Sequence, residues 1–213
     1  MNEVYEHNAG LASVRNFYDK YRKIIIAVAV VLIISISSYL YINQVSKRSN
    51  EKAAKIYNQW LAQEIETEEG QILAEKLFNE LLNSYKNTGY TQIALLNQAS
   101  SYAKNGELSK SLNYFILLKD ATDGFGGNEI FNKISRVNAA RLLYAEQKYD
   151  VALELLEKYS NSSSSMIHEL TGDILTKQNK KELAKEQYLL AKDKYSDQTS
   201  ISIVSMKISN LSL

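Results

Sequence analysis

The sequence predicts an all-α protein, in which one N-terminal transmembrane helix is followed by a solenoid of packed helical hairpins. Three observations support this fold class. Residues 24–42 form one uncharged apolar run, apolar residues in the rest of the chain recur at helical spacing, and the 213 residues include no proline and only eight glycines. Because proline breaks helix interiors and both residues favour turns, this composition is typical of long helices joined by short connections.

The apolar run is long enough to cross a lipid bilayer. At ~1.5 Å per residue, residues 24–42 would extend about 28 Å, close to the ~30 Å thickness of the hydrocarbon core. Basic residues flank the run on both sides, and Tyr39 and Tyr41 lie near its end, where interfacial aromatic residues are common. The pattern therefore predicts a membrane-spanning helix.

A buried core helix and a cleaved signal peptide are the two alternatives to a permanent anchor. Core helices of this length usually carry a polar face, which residues 24–42 lack. A signal peptide has a shorter apolar region that ends at a small-residue cleavage site, and residues 39–43 offer no such site. We therefore interpret the segment as an anchor that is retained.

The anchor divides the chain into four predicted parts. Residues 1–23 form a short tail, 24–42 the transmembrane helix, 43–52 a basic juxtamembrane linker, and 53–213 the helical domain. The formal net charge of +1 gives no bias toward nucleic acid as a partner. The two flanks of the anchor carry nearly equal numbers of basic residues, so the positive-inside rule leaves the orientation open.

Apolar stripes at helical spacing run through the domain. Tyr149, Ala152, Leu153 and Leu156 are one example, since they fall on one face of a helix. Glycine and polar residues between such stripes predict helix ends, because Gly and Asn tolerate the left-handed conformation that terminates helices. The predicted breaks are residues 66–70, 87–89, 105–106, 123–127, 147–148, 161–165, 178–180 and 196–199.

The stripes repeat three times in one register. Each copy has a small residue, a large residue three positions later, another small residue near +12 and an aromatic residue or Leu at +16. The small residues predict close helix contacts. The pattern resembles a degenerate tetratricopeptide repeat, although it lacks that repeat's terminal proline, and a generic helical-hairpin array is the alternative. Residues 53–86 are predicted to form a divergent first pair and 199–213 a capping helix. The three copies begin at Ala99, Ala140 and Gly172.

Few residues in the chain are suited to catalysis. The absence of cysteine excludes disulfides, thiol nucleophiles and cysteine zinc sites. His7 lies in the tail, and His168 is predicted on a helix surface, since the motif that it begins lacks the second histidine of a zinc protease helix. Residues 124–127 are predicted to be an interhelical loop, and Trp60 to be a core residue. We therefore predict no catalytic, cofactor-binding or metal-binding residues.

Several short motifs resemble those of the YfgM-like family, the ancillary subunits of the bacterial Sec translocon. They are Val4-Tyr5-Glu6 and Arg15-Asn16-Phe17 in the tail, Leu170-Thr171-Gly172 in the domain, and residues 205–213 at the end. Together with the anchor and the repeats, the resemblance covers essentially the whole chain. It implies a non-enzymatic inner-membrane protein in contact with membrane lipid, with a cytoplasmic N-terminus and a periplasmic C-terminal domain.

The same resemblance implies two protein partners, the SecYEG translocon and a membrane-anchored periplasmic chaperone of the prolyl-isomerase type. The expected function is a binding module at the periplasmic exit of the translocon that links it to periplasmic chaperones. One alternative is a tetratricopeptide scaffold for another envelope-assembly or secretion complex, and another is an enzyme. The oligomeric state is left open by the sequence.

In tetratricopeptide arrays the first helix of each hairpin lines the concave face, and this face predicts a protein-binding groove. Apolar positions would hold a partner segment, while Arg141 and the carboxylates would orient it. The alternative is that Ile93, Leu96, Ile134 and Val137 are core residues. The predicted groove consists of Ile93, Leu96, Ser100, Lys104, Ile134, Val137, Arg141, Tyr144, Met166, Glu169, Asp173 and Lys177.

Overall fold

The computed structural model describes residues 2–64, 66–124, 126–162 and 164–211, with side chains for Arg15 and from Phe17 onward. The chain divides into two compact units, Met1–Lys52 and Ala53–Leu213. The side chains of Val4, Tyr5, Glu6, His7 and Asn16, and the residues Phe125, Ser163, Ser212 and Leu213, belong to predicted features but lie outside this description.

Within the described ranges the structure contains α-helices and no β-strand, so the predicted all-α class is confirmed. Each predicted break lies at the junction between two consecutive helices. The helices are α1 (Asn2–Leu61), α2 (Glu68–Ser84), α3 (Gly89–Lys104), α4 (Leu108–Thr122), α5 (Glu129–Ala145), α6 (Tyr149–Glu157), α7 (Ser165–Lys177), α8 (Lys181–Lys194) and α9 (Gln198–Asn210).

Helix α1 is continuous over 60 residues. Residues 43–52, predicted to be a linker, are therefore helical, and the predicted first helix of the N-terminal hairpin is the end of α1. The physical reason is visible in the sequence, because residues 11–61 contain neither glycine nor proline and offer no helix-breaking position.

One helix of the described chain is long and apolar enough to cross a membrane, and it includes residues 24–42. No side chain of its most apolar window is buried within the protein. This exposure does not favour the alternative of a buried core helix. The segment is consistent with a single-pass membrane anchor.

The turns inside the three hairpins α3–α4, α5–α6 and α7–α8 share one backbone form. Gly106, Gln147 and Asn179 adopt positive φ angles of 78°, 62° and 59°. In each turn the amide of the next residue donates to the carbonyl five residues before it. The donors are Glu107, Lys148 and Lys180, and the hydrogen bonds measure 2.9, 2.8 and 2.9 Å respectively. This is the six-to-one hydrogen bond that closes many helix C-termini. The hairpins therefore repeat in backbone geometry at the predicted offsets.

Side-chain burial follows the same register. The small residues Ala99, Ala140, Ala152 and Ala184 are fully buried, and the large residues Phe115, Leu156 and Tyr188 are nearly so. A Cβ atom added to Gly172 would lie only 2.5 Å from the ring of Tyr188. The predicted close helix contacts are thus confirmed, and buried residues from α3 to α9 form two hydrophobic clusters, with Leu153 packed against both.

Candidate protein-binding surface

All twelve residues of the predicted groove lie on α3, α5 and α7, the first helices of the three hairpins. Lys104, Arg141, Met166 and Lys177 are exposed. The half-buried members are Ile93, Leu96, Ser100, Ile134, Tyr144, Glu169 and Asp173.

Val137 is a correction to the predicted groove. It is 6% exposed and belongs to the central hydrophobic cluster, so it is not available to a partner. Its place on the helix explains this, because residues three apart share a helix face and Ala140 is fully buried in the same cluster. Leu96 also packs against the core, but it remains partly exposed.

The two predicted carboxylates of the groove are held by the C-terminal helix. Lys207 of α9 lies 2.7 Å from an Oε of Glu169 and 2.7 Å from an Oδ of Asp173. The hydroxyl of Tyr195 donates to Glu169 at 2.6 Å, and that of Tyr188 donates to Asp173 at 2.8 Å. The two carboxylates that were predicted to orient a partner segment therefore already pair with a cation of the same chain.

The pKa shifts of this cluster show that its charges are paired. Burial disfavours the charged form of Glu169, but the hydrogen bonds from Lys207 and Tyr195 outweigh it and lower the pKa of this carboxyl. Burial likewise opposes the ammonium of Lys207, yet the bonds to Asp173 and Glu169 raise its pKa. Both side chains are thus held in their charged forms near neutral pH.

Arg141 and Tyr144 of α5 interact electrostatically with this cluster. The charge of Arg141 helps to lower the pKa of Glu169. Burial raises the pKa of the Tyr144 hydroxyl, and the charge of Asp173 raises it further. Four groove residues, Arg141, Tyr144, Glu169 and Asp173, therefore belong to one charged cluster with Lys207. Within the described part of the chain, the α3 members do not take part in this network.

A second polar network, which the sequence did not reveal, fixes the start of the loop between α4 and α5. The buried side chain of Asn132 accepts hydrogen bonds through Oδ1 from Arg136, Lys158 and Tyr159, at 3.0, 3.1 and 3.0 Å. Asp123 receives 2.8 and 2.9 Å ion pairs from the same Arg136 and Lys158. The bond from Lys158 is the main cause that lowers the pKa of Asp123 to about 2.

The prediction that His168 lies on a helix surface is wrong. Its side chain is 2% exposed. Its Nδ1 lies 2.8 Å from Oε1 of Gln187, and its Nε2 lies 2.9 Å from the carbonyl oxygen of Ser162. The imidazole therefore joins α7 to α8 and to the loop before α7. Among the described residues, no group of three or more His, Asp or Glu side chains is placed to hold a metal ion.

Three hairpins of similar geometry, closed by a terminal helix, define the class of helical-repeat proteins, which present extended surfaces for protein partners. The chain belongs to the tetratricopeptide repeat-like domain family, whose model matches residues 15–213. This family suggests a protein–protein interaction module, and such repeat domains are typically non-enzymatic scaffolds. No curated protein matches the sequence.

Proposed function

We propose that the protein is a membrane-anchored, non-enzymatic binding module at the periplasmic exit of the SecYEG translocon. In this proposal residues 1–23 are cytoplasmic, residues 24–42 cross the inner membrane, and residues 53–213 lie in the periplasm. The module would link the translocon to a membrane-anchored periplasmic chaperone of the prolyl-isomerase type.

One observation carries the membrane-anchored part of the proposal. The family match runs from residue 15 to residue 213 and so includes the apolar segment as well as every hairpin. The segment is exposed along its length, which suits contact with lipid. The resemblance of the terminal motifs to the YfgM-like family supports the translocon as the site of action.

We place the partner surface on the exposed side of α3, α5 and α7. Its exposed members are three cations, Lys104, Arg141 and Lys177, together with Met166. Half-buried Ile93 and Ile134 add apolar area between them. Since Lys207 already pairs with Glu169 and Asp173, the charge that this surface offers is positive, and it favours a partner segment with acidic side chains.

Affinity purification from native membranes in a mild detergent, followed by mass spectrometry, tests the proposal. We expect the SecYEG subunits and a prolyl-isomerase-type chaperone to be enriched with the wild-type chain. Arg141→Glu/Lys177→Glu should reduce this enrichment, while Lys181→Glu/Lys185→Glu, an equal charge change on exposed positions of α8, should not. Enrichment of a different envelope or secretion complex would support the scaffold alternative instead.

Topology provides the second arm of this test. Protease added to spheroplasts should digest the domain that contains Trp60 and spare the N-terminal tail. Protection of the whole domain in intact spheroplasts, with digestion after lysis, would place it in the cytoplasm and rule out the proposed role.

A further inference from the structure

An open cleft lies at the N-terminal end of the helical domain. It consists of two adjoining spaces of about 310 and 340 Å³. Four residues line both spaces, Trp60 of α1, Ala74 of α2, and Gln98 and Ser101 of α3. None of them belongs to the predicted groove, so this cleft is a separate surface.

Aromatic side chains form one wall of the cleft in a continuous series of ring contacts. The ring centroids of Trp60 and Phe78 are 5.8 Å apart, and those of Phe78 and Tyr114 are 5.6 Å apart. Tyr114 in turn stacks on Tyr102 at 5.4 Å, with an angle of 3° between the rings. Trp60 packs against a hydrophobic cluster, as predicted for a core residue, while part of its side chain stays exposed. Such a wall suits an apolar or aromatic side chain.

Glu75 lines the cleft, and four exposed glutamates lie in sequence between two of its lining residues; we call these five carboxylates the acidic rim. Glu75 and Gln71 of α2 line the larger space, and Gln63, which follows α1, lines the smaller one. Between Gln63 and Gln71 the chain carries four exposed glutamates, at positions 64, 66, 68 and 69. A concentration of carboxylates beside an aromatic wall favours a cationic partner.

Local contacts at the start of α2 hold the segment that carries Glu64 and Glu66. The Thr67 hydroxyl accepts a 3.1 Å hydrogen bond from the amide of Gly70 and thereby caps α2. A side chain at Gly70 would collide with the carbonyl group of Glu64 and with the Thr67 hydroxyl. The glycine therefore allows the connection to fold tightly against the start of α2.

We propose that this cleft binds a segment of a partner protein that combines a Leu- or Phe-sized side chain with adjacent Lys or Arg residues. The apolar side chain packs against Trp60 and Phe78, and the basic residues pair with the acidic rim. A cation above the Trp60 ring adds a cation–π contribution. The charge of the rim, together with the aromatic wall, selects this occupant over an acidic or uniformly polar one.

Trp60 gives a direct signal for binding, because it is the only tryptophan in the chain. The full chain would be reconstituted in bicelles of zwitterionic phosphatidylcholine, which do not attract basic peptides by charge. The probes are short tryptophan-free peptides rich in Leu, Phe and Lys, with two matched sets in which Glu replaces Lys or Ser replaces the apolar residues. We expect a saturable blue shift of Trp60 emission with the basic apolar peptide, which weakens at high salt.

Affinity for the acidic peptide should be weaker by about tenfold or more, since like charges meet at the rim. The serine peptide should produce no blue shift. Equal affinity for the acidic and basic peptides would overturn the proposal. A blue shift of Trp60 emission that depends on protein concentration and not on peptide would also overturn the proposal, since a second copy of the chain would then fill the cleft.

Two sets of variants locate the site. Glu64→Gln/Glu66→Gln/Glu75→Gln should weaken binding of the basic peptide several-fold and reduce its salt dependence. Glu154→Gln/Glu157→Gln/Glu186→Gln removes the same charge from exposed positions on α6 and α8 and should leave binding unchanged. If the rim variants and the control variants weakened peptide binding equally, the acidic rim would not be the site that pairs with the basic residues.

Filling the cleft is the complementary test. Ser101 is exposed, so Ser101→Tyr should block the peptide while far-UV circular dichroism stays unchanged. Undiminished binding to a folded Ser101→Tyr chain would refute the cleft as the site. If this variant does not fold, the surface glutamate variants still decide the question.

Discussion

Replacing Gly172 with alanine tests the hairpin packing most directly. The new Cβ atom would lie 2.5 Å from Cε1 and 2.6 Å from Cδ1 of Tyr188. That ring is nearly fully buried, and its hydroxyl is bonded to Asp173 at 2.8 Å and to Thr176 at 3.1 Å. The contact therefore involves the ring itself, which cannot move away without disturbing its anchored end.

Two opposing effects set the size of the change. Alanine in place of glycine stabilises a helix interior by about 1 kcal/mol. Displacing a packed ring costs about 1–3 kcal/mol, and weakening one of its hydrogen bonds costs about 1 kcal/mol more. The cost is the larger effect, so we expect the free energy of unfolding to fall by about 1–3 kcal/mol. In a domain of this size that change lowers Tm by about 3–10 °C.

Thermal unfolding of the full chain in detergent micelles, followed by far-UV circular dichroism, measures this shift. Gly89→Ala is the matched control, because its added Cβ would meet nothing within 4 Å, and it should not lower Tm. In a Tyr188→Phe background the ring is freed from Asp173 and Thr176, and the cost of Gly172→Ala should fall by about 1 kcal/mol. An unchanged or higher Tm for Gly172→Ala alone would show that the assigned contact is wrong.

Three further predictions concern other elements. Lys207→Met leaves Glu169 and Asp173 without the cation of α9, and we expect a loss of stability of roughly 1–3 kcal/mol. Amide hydrogen exchange in α9 should become faster, and unchanged exchange would contradict this role of Lys207. Asp123 has a folded pKa of about 2, below the unfolded value of about 3.9. Its stabilisation is therefore present above pH ~4 and lost as pH falls toward 2, so the Tm difference between wild type and Asp123→Asn should shrink over that range. Gln147→Gly relieves the positive φ of 62° and should raise the stability by about 1 kcal/mol; a lower Tm would refute the strain.

The helices and the repeat could be predicted from the sequence because their signals are local. Glycine, asparagine and charged residues interrupt apolar stripes at the ends of the helices, and the offsets between the copies follow directly from those stripes. The continuity of α1 was also present in the sequence, in the absence of glycine and proline from residues 11–61. The predicted juxtamembrane linker, residues 43–52, is part of this helix, because a basic composition does not by itself interrupt a helical backbone.

The contacts that shape the candidate surface were not predictable in the same way. Lys207 meets Glu169 across 38 positions of sequence, and His168 meets Gln187 across 19. No periodicity links such partners, because only the packing of separate helices brings them together. Val137 illustrates the same limit, since an apolar residue on a first helix can face either a groove or the core. The spacing of Glu169 and Asp173 on one face of α7 showed that they lie together, but not that α9 supplies their cation.

The charge distribution separates the two proposed binding surfaces. At the C-terminal end, Lys207 pairs with both Glu169 and Asp173, so a basic partner segment would compete there with an ion pair that the chain already makes. At the N-terminal end, the glutamates of the acidic rim between Gln63 and Gln71 are exposed. A basic apolar segment therefore has one favoured site, and the cations of α3, α5 and α7 favour an acidic segment. Charge reversal at Arg141 and Lys177 should thus leave the Trp60 response to the basic peptide intact, and loss of that response would show that the two surfaces act as one.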